Sequence, residues 1–337
     1  MLTGTRRMIR LVLRRDRVLM PLWILFFPLF LVATASSYKD LFPTAASRQD
    51  YADLSAHSAG FVALYGPLFG ASLGELVTWR AGFVPVVVGL VGLLTVIRHT
   101  RTEEEAGRRE LIGATVVGRH AGLAAALIAT LGGYLVLAGL IALAMISEGL
   151  PAAGSLALGA QFAFVGWVFA GVGAVAAQLT EGAGAARGIA VAVLGAAYLL
   201  RVVGDLSALG SGSVSWLSWL SPIAWAHQIR PYGGDRWWVL VLPVLTTAVL
   251  VTASMALSAR RDLGAGLLRP RPGPAAAAPG LRTPLALAWR LHRSLLAGWI
   301  AGFAVVGVVL GGIAKGIGDM VGDNPRLQEV VPPPEAK

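Results

Sequence analysis

Seven apolar runs dominate this chain, at residues 18–37, 81–97, 121–147, 155–179, 188–204, 237–258 and 294–314. Roughly 20 apolar residues cross the hydrocarbon core of a bilayer as a helix. Each run therefore predicts a membrane span, and the predicted fold class is an all-α, polytopic transmembrane helical bundle. Charge is scarce to match: 14% of the 337 residues are charged, where a soluble domain carries about 25%. The first run is too long for a signal-peptide core and lacks a convincing small-residue cleavage site, so it reads as a permanent span.

Charge location then sets orientation. The net charge of +10 comes almost wholly from arginine, the lysines being Lys39, Lys315 and Lys337. Such a balance could suit nucleic acid, but the arginines sit at the ends of apolar runs, where they face lipid phosphates. No nucleic-acid partner is expected. With the N-terminus inside, Arg6, Arg7, Arg10, Arg14, Arg15 and Arg17, then Arg98, Arg101, Arg108, Arg109 and Arg119, then Arg187, Arg260, Arg261, Arg269 and Arg271 fall on the cytoplasmic side. The opposite side keeps a thin scatter such as Lys39, Arg48, Arg230 and Arg236. The absence of cysteine excludes disulfides, thiolate zinc sites and cysteine nucleophiles.

Between the runs the chain shows a clear order. Residues 1–17 read as an interfacial helix: at 100° per residue Arg6, Arg7, Arg10, Arg14 and Arg17 share one arc, apolar residues fill the other, and Arg15 falls off the pattern. Residues 18–258 hold a six-span repeat, and 259–284 a cytosolic linker whose proline-rich part, 264–284, is expected to be protease-accessible. Residues 285–316 echo the opening of the chain. At an offset of 276, Leu11/Leu287, Arg14/Arg290, Arg17/Arg293, Leu19/Leu295, Trp23/Trp299 and Lys39/Lys315 coincide. This predicts an internal repeat whose second copy contributes an interfacial helix and one span, followed by an outer tail at 317–337. Span seven should then sit apart from the six-helix bundle or against its edge, its Gly298/Gly302 and Gly307/Gly311 faces partly unpacked.

Several features bear on chemistry. Trp216, Trp219, Trp225, Tyr232, Trp237 and Trp238 cluster between spans five and six, read as an outer interfacial element, with an aromatic gate for an apolar substrate as the sharper alternative. Small residues at Gly166/Ala170/Ala174 and Gly188/Ala192/Ala196 predict close helix packing on spans four and five. Span six, without glycine from Trp237 to Leu257, should lie peripherally. Arg201 and Asp205, four apart, suggest a boundary ion pair, and Glu75 and Arg80 flank the outer entry of span two, where snorkelling lowers the cost of charge. The histidines lie on separate loops, and no Gly-x-x-x-x-Gly-Lys-Ser/Thr loop exists, so this chain carries no P-loop ATPase site and no catalytic residue is assigned. No metal or cofactor is expected on it.

Residues 98–119 stand out from all this. Glu103, Glu104, Glu105 and Glu110 mix with Arg101, Arg108, Arg109 and Arg119 between two spans. Glu104/Arg108 and Glu105/Arg109 are spaced to pair along one helix face, and Gly107 would admit another backbone. A polar helix held against the membrane by a span on each side is well placed to receive force from a soluble partner.

That arrangement, with Arg-Thr-Glu-Glu-Glu-Ala-Gly-Arg-Arg-Glu-Leu before span three, resembles the permease subunits of ABC-2-type exporters. More narrowly it resembles the actinobacterial tetronasin or polyketide-antibiotic exporter permeases, as do Trp-Leu-Ser-Pro-Ile-Ala-Trp at 219–225 and Ala-Arg-Arg-Asp-Leu-Gly-Ala-Gly at 259–266. The resemblance implies a multi-pass permease of a bacterial cytoplasmic membrane exporting amphipathic molecules such as antibiotics. It implies that Glu103, Glu104, Glu105, Gly107, Glu110 and Arg119 belong to a coupling helix seated on a separate P-loop ATP-binding subunit, which holds the ATP and Mg. It also implies two fused six-span repeats, so that a second permease chain or the remaining repeat would complete the path. An ATP-independent secondary transporter or a membrane scaffold is the rival reading.

Overall fold

The structure, a computed structural model, describes residues 2–113, 115–262, 264–268 and 275–323. Among these residues every regular element is helical. Helix α1 (Thr5–Arg15) leads into α2 (Leu19–Leu41), and α3 (Ala45–Ala56), α4 (Ala59–Tyr65) and α5 (Leu73–Arg80) fill the following connection. Then come α6 (Val84–His99), α7 (Arg101–Glu105), α8 (Arg108–Gly113), α9 (Ala121–Ser147), α10 (Ala152–Leu179) and α11 (Ala183–Leu209). The chain continues with α12 (Pro222–Gln228), α13 (Val241–Ala259) and α14 (Pro284–Asp323). Among the described residues six helical segments are long and apolar enough to cross a membrane: α2, α6 with its extension, α9, α10, α11, and α13 with the preceding turn; of the seventh expected span, 294–314, only the shorter apolar stretch Leu295–Ala304 joins them. The chain is a polytopic membrane helical bundle.

Helix α10 is the most buried span and packs against α6, α9, α11 and α13. Its glycines explain the closeness. A Cβ on Gly159 would stand 2.3 Å from the Ala138 carbonyl oxygen of α9, and one on Gly173 would stand 2.7 Å from the Leu93 oxygen of α6. Tyr134 of α9 fills the space beside Gly166 and donates its hydroxyl to the Val88 carbonyl at 2.6 Å, joining three spans. In lipid no hydrophobic force drives helices together, so such contacts, dispersion and interhelical hydrogen bonds carry the association. The Gly166/Ala170/Ala174 face is buried. The Gly188/Ala192/Ala196 face is not: all three are exposed, and α11 packs instead through Ala183, Ala186, Ala190 and Ala197. Small-residue periodicity runs along two faces of α11, and its other contacts choose between them. Helix α13 is the least buried span.

The two copies of the internal echo differ at their joints. Helices α1 and α2 are separated by a turn at residues 16–18, where Asp16 is buried and its carboxylate accepts from the Arg98 guanidinium, with His99 Nε2 2.7 Å away. Burial alone would push the Asp16 carboxyl up, but the hydrogen bond and charge of His99, with Arg98, hold it below its ordinary value. The corresponding residue of the second copy is His292, and α14 runs unbroken from Pro284 to Asp323. The expected division at 285–316 into interfacial helix and span is therefore one continuous helix. It also takes in residues 317–323 of the expected outer tail, while 324–337 lie outside the described residues. Helix α14 runs beside α4, and a Cβ on Gly298, Gly302, Gly307 or Gly311 would meet nothing within 4 Å.

At the end of the bundle away from α7 and α8, α12 plugs the connection. His227 is buried with Nε2 3.0 Å from the Gly82 carbonyl oxygen, and its ring occupies the space a Cβ on Gly66 would need. Burial, with the nearby Arg201 charge acting the same way, pushes His227 down to about 3, partly opposed by the Gly82 hydrogen bond. An unfolded histidine titrates near 6.5. Below that pH the unfolded chain takes up a proton that the folded chain refuses, so this contribution is intact above about 6.5 and is lost as pH falls toward 3. Lowering pH from about 7.5 to about 5 should cost about 2 kcal/mol through this residue. His227→Gln should flatten that part of the pH dependence of thermal unfolding; an unchanged slope would show that His227 is not its source.

Candidate coupling surface

Helix α6 ends at His99 because Thr100 leaves helical geometry, its hydroxyl turning back to the Val96 carbonyl. One short turn, α7, follows. Gly107 then adopts φ +69, a left-handed conformation that glycine takes at no steric cost. This residue makes a turn, and among the described residues nothing lies within 4 Å of where its Cβ would be. The break also resets the expected pairing. Glu104/Arg108 and Glu105/Arg109 do not pair; Arg108 binds Glu103 through two 2.8 Å hydrogen bonds and Arg109 binds Glu104 at 2.5 Å. Across a left-handed glycine the i,i+4 register of a continuous helix gives way to a spacing of five.

Glu104 is the centre of a buried network. It is 8% exposed and pairs with Arg101, with Arg109 and with Arg261 at 2.9 Å. Arg101, fully buried, also donates to the carbonyls of Gly264 and Ala265 at 3.3 and 2.9 Å. Arg261 reaches Gln178 Oε1 at 2.8 Å and the Ala265 carbonyl at 3.0 Å. Arg119 donates to the Arg261 carbonyl. Every ion is held by several partners, which is the condition under which buried charge is tolerated. The start of the linker is thereby fixed: Leu267 and Leu268 donate their N–H groups to Gln178 and Leu179 at 3.3 and 2.8 Å. The expected accessible linker thus cannot begin at 264. Residues 275–278 are exposed, and 269–274 lie outside the described residues.

The neighbouring glutamates have different duties. Glu103 joins α1 to α7, binding Arg15 at 2.5 Å as well as Arg108. Arg15, off the basic arc of α1, thus has a partner of its own. Glu105 accepts the backbone N–H of Ala183 at 3.0 Å, capping the start of α11 from another segment, a favourable place for negative charge. Arg187 of α11 reaches Thr102 at 3.1 Å. Glu110 is exposed and makes no ion pair among the described residues. Val116, in the loop before α9, is 89% exposed. The segment is consequently a rigid base (Arg101, Glu104, Arg109, Arg261) under an exposed rim that includes Glu105, Arg108, Glu110 and Val116. The segment is joined to α1 through Glu103, to α6 through Thr100, to α10 through Arg261 and Gln178, to α11 through Glu105, and to the stretch after α13 through Arg101.

The other charges singled out in the sequence lie elsewhere. Arg201 and Asp205 pair at 3.6 Å, as their spacing suggests, but neither snorkels: they are 0% and 6% exposed. Arg201 donates to the carbonyls of Val62 and Leu64 at 2.8 and 3.1 Å, and Tyr198 to Ala63 at 3.0 Å, so Arg201 and Tyr198 cap the end of α4. Glu75 and Arg80 do not pair. Glu75 forms a capping box with Ser72, and Arg80 lies over the Tyr65 ring. Sequence reasoning missed Asp16, His99, Gln178 and Arg261 as members of the charged end. The usable signal was the Ala-Arg-Arg-Asp stretch after α13, whose arginines also serve orientation and so did not stand out.

Comparison with known proteins places this geometry in context. The chain is 45% identical over 331 residues to the multidrug efflux system permease protein Rv1217c of Mycobacterium tuberculosis. That similarity covers 98% of this chain, and the chain spans 59% of the length of that relative. Residues 281–336 match the family described as the C-terminal domain of the multidrug efflux system permease Rv1217c.

Proposed function

We propose that this chain is the membrane permease part of an ATP-driven, ABC-type exporter of amphipathic small molecules, with ATP hydrolysed on a separate P-loop subunit. The observation that carries the reading is the 45% identity, sustained over 98% of the chain, to a protein named as a multidrug efflux permease. The charged end supports the energisation. It combines an exposed polar rim with a buried salt-bridged base, as a docking surface that transmits force requires. Orientation with this end in the cytoplasm follows from the arginine asymmetry.

Two further features fit. A cavity of about 420 Å³ lies between α1 and the charged network, lined by Met8, Leu11 and Val12 together with Arg15, Arg109 and Arg119. Its mixed walls suit an amphipathic molecule arriving from the inner leaflet. The match of residues 281–336 to a C-terminal domain supports α14 as the opening of a second repeat, with its open glycine faces as the seat for further helices.

Purification of the chain from native membranes should bring down a P-loop ATPase, and cells carrying both should expel a fluorescent amphipathic dye in proportion to ATP. Recovery of no ATPase would overturn the reading. Efflux that collapses with the proton gradient at constant ATP would favour the secondary-transporter alternative.

A further inference from the structure

At the end of the bundle opposite α7 and α8 lies a cavity of about 400 Å³. It is bounded by the end of α11, the 3-10 turn Ser215–Leu220, and the chain around α12. Phe69, Trp216, Trp219, Gln228, Asp205 and Arg230 are among its walls. The size is that of a site for one small molecule.

Arg230 is held there at a conformational cost. It has φ +51, and Tyr232 and Asp235 follow with φ +65 and +39. Three non-glycine residues in this region within six positions persist only where the surroundings over-determine them. The surroundings do so here. The Arg230 carbonyl accepts the N–H groups of Gly233 and Asp235 at 3.0 and 3.2 Å, and Arg236 donates to Ile229 at 2.7 Å. The Tyr232 ring fills the space that a Cβ on Gly74 or Gly154 would need, and its hydroxyl lies 3.0 Å from Ser155 Oγ. The loop is pinned between α5 and α10, which fixes where Arg230 stands.

Its guanidinium lies 3.9 Å from the centroid of the Phe69 ring. Among the described residues it has no acidic partner within ion-pair distance, and its buried Nε has no hydrogen-bond acceptor. The nearby acids face other groups. Asp205 accepts from Ser218 at 2.7 Å through Oδ1 and lies 3.6 Å from Arg201 through Oδ2, which has no hydrogen bond; Asp235 accepts the Tyr232 N–H at 2.8 Å, and Glu75 is held in its capping box. A cation stacked on an aromatic ring, inside an aromatic cavity and lacking a counter-ion, is a receptor for an anion with an apolar body.

We propose that this cavity binds the anionic head of an amphiphile, a carboxylate or phosphate, with Arg230 as the anchor and Trp216 and Trp219 against the apolar part. Binding at this site does not depend on the export reading.

The test uses the full chain in nanodiscs of neutral phosphatidylcholine, titrated with dansylundecanoic acid and, separately, its uncharged amide. Arg230→Gln should weaken carboxylate binding by on the order of tenfold or more and leave amide binding unchanged. Arg230→Lys should fall between, which guards against simple misfolding. Trp216→Ala with Trp219→Ala should weaken both probes. Carboxylate binding that is unaltered in Arg230→Gln, or equal loss of both probes in Arg230→Gln and Arg230→Lys, would overturn the proposal and leave Arg230 as a structural cap on Phe69. Adding phosphatidylglycerol to the discs separates the two sources of such a head. Arg230-dependent competition marks a lipid phosphate as occupant, its absence marks a free amphiphile, and either result supports the site. Because no ATPase is present, loss of binding here is distinguishable from failure of the export reading.

Discussion

Glu104→Lys is expected to abolish the folded charged end, and with it most of the purifiable protein. The substitution would set a fourth cation among Arg101, Arg109 and Arg261 where a single carboxylate now answers all three. Removing one member of a buried charged set costs about 3–5 kcal/mol, because the remaining charges stay desolvated and unpaired. Even the milder Glu104→Gln should lower thermal stability measurably. Glu110→Lys makes the contrast: the residue is exposed and has no ion-pair partner among the described residues, so stability should change by less than about 0.5 kcal/mol. If the rim docks an ATPase, that variant should nonetheless uncouple export from ATP hydrolysis. Thermal unfolding followed by fluorescence size-exclusion separates the two effects. A stable Glu104→Lys protein would show that the network is incidental, and a fully coupled Glu110→Lys exporter would remove Glu110 from the docking rim.

The second large effect concerns α10. Gly159→Val and Gly173→Val each place a side chain where a backbone oxygen already stands, 2.3 and 2.7 Å from the new Cβ. Backbone cannot rotate aside as a side chain can, so the helices must separate. Overpacking costs roughly 1–3 kcal/mol, and these positions should sit at or above the top of that range. Gly188→Val on α11 has nothing within 4 Å of its Cβ and should leave the isolated chain unaffected. Melting temperatures of the three variants in one detergent decide the matter; equal values would show that the α10 glycines do not set the packing.

Much of the architecture was legible before the structure. Apolar run length locates spans because the bilayer imposes one thickness on every crossing helix. The lack of glycine in α13 likewise goes with its peripheral place. Small-residue periodicity was a weaker guide. It identified a true contact face on α10 and the wrong face on α11, since close packing needs a partner as well as a stripe. The charged segment was visible as a cluster, yet its internal pairing was not. Gly107 turns left-handed and shifts the register, and Arg261, 157 residues from Glu104 in sequence, supplies a partner no local spacing encodes.

Sequence alone located the six helices long and apolar enough to cross a membrane, because that property is a sum over local composition against a uniform solvent. Only the tertiary structure decided what each charge does. Glu104, Glu105 and Glu110 are chemically alike neighbours, but one is the buried hub of a network, one caps α11 and one faces outward. Arg201 and Arg230 likewise differ only in surroundings, the first surrounded by carbonyls and Asp205, the second without an acidic partner among the described residues. The role of an ionisable side chain is set by what remains within a few ångströms once water is excluded, and in this bundle those neighbours come from residues distant in the chain.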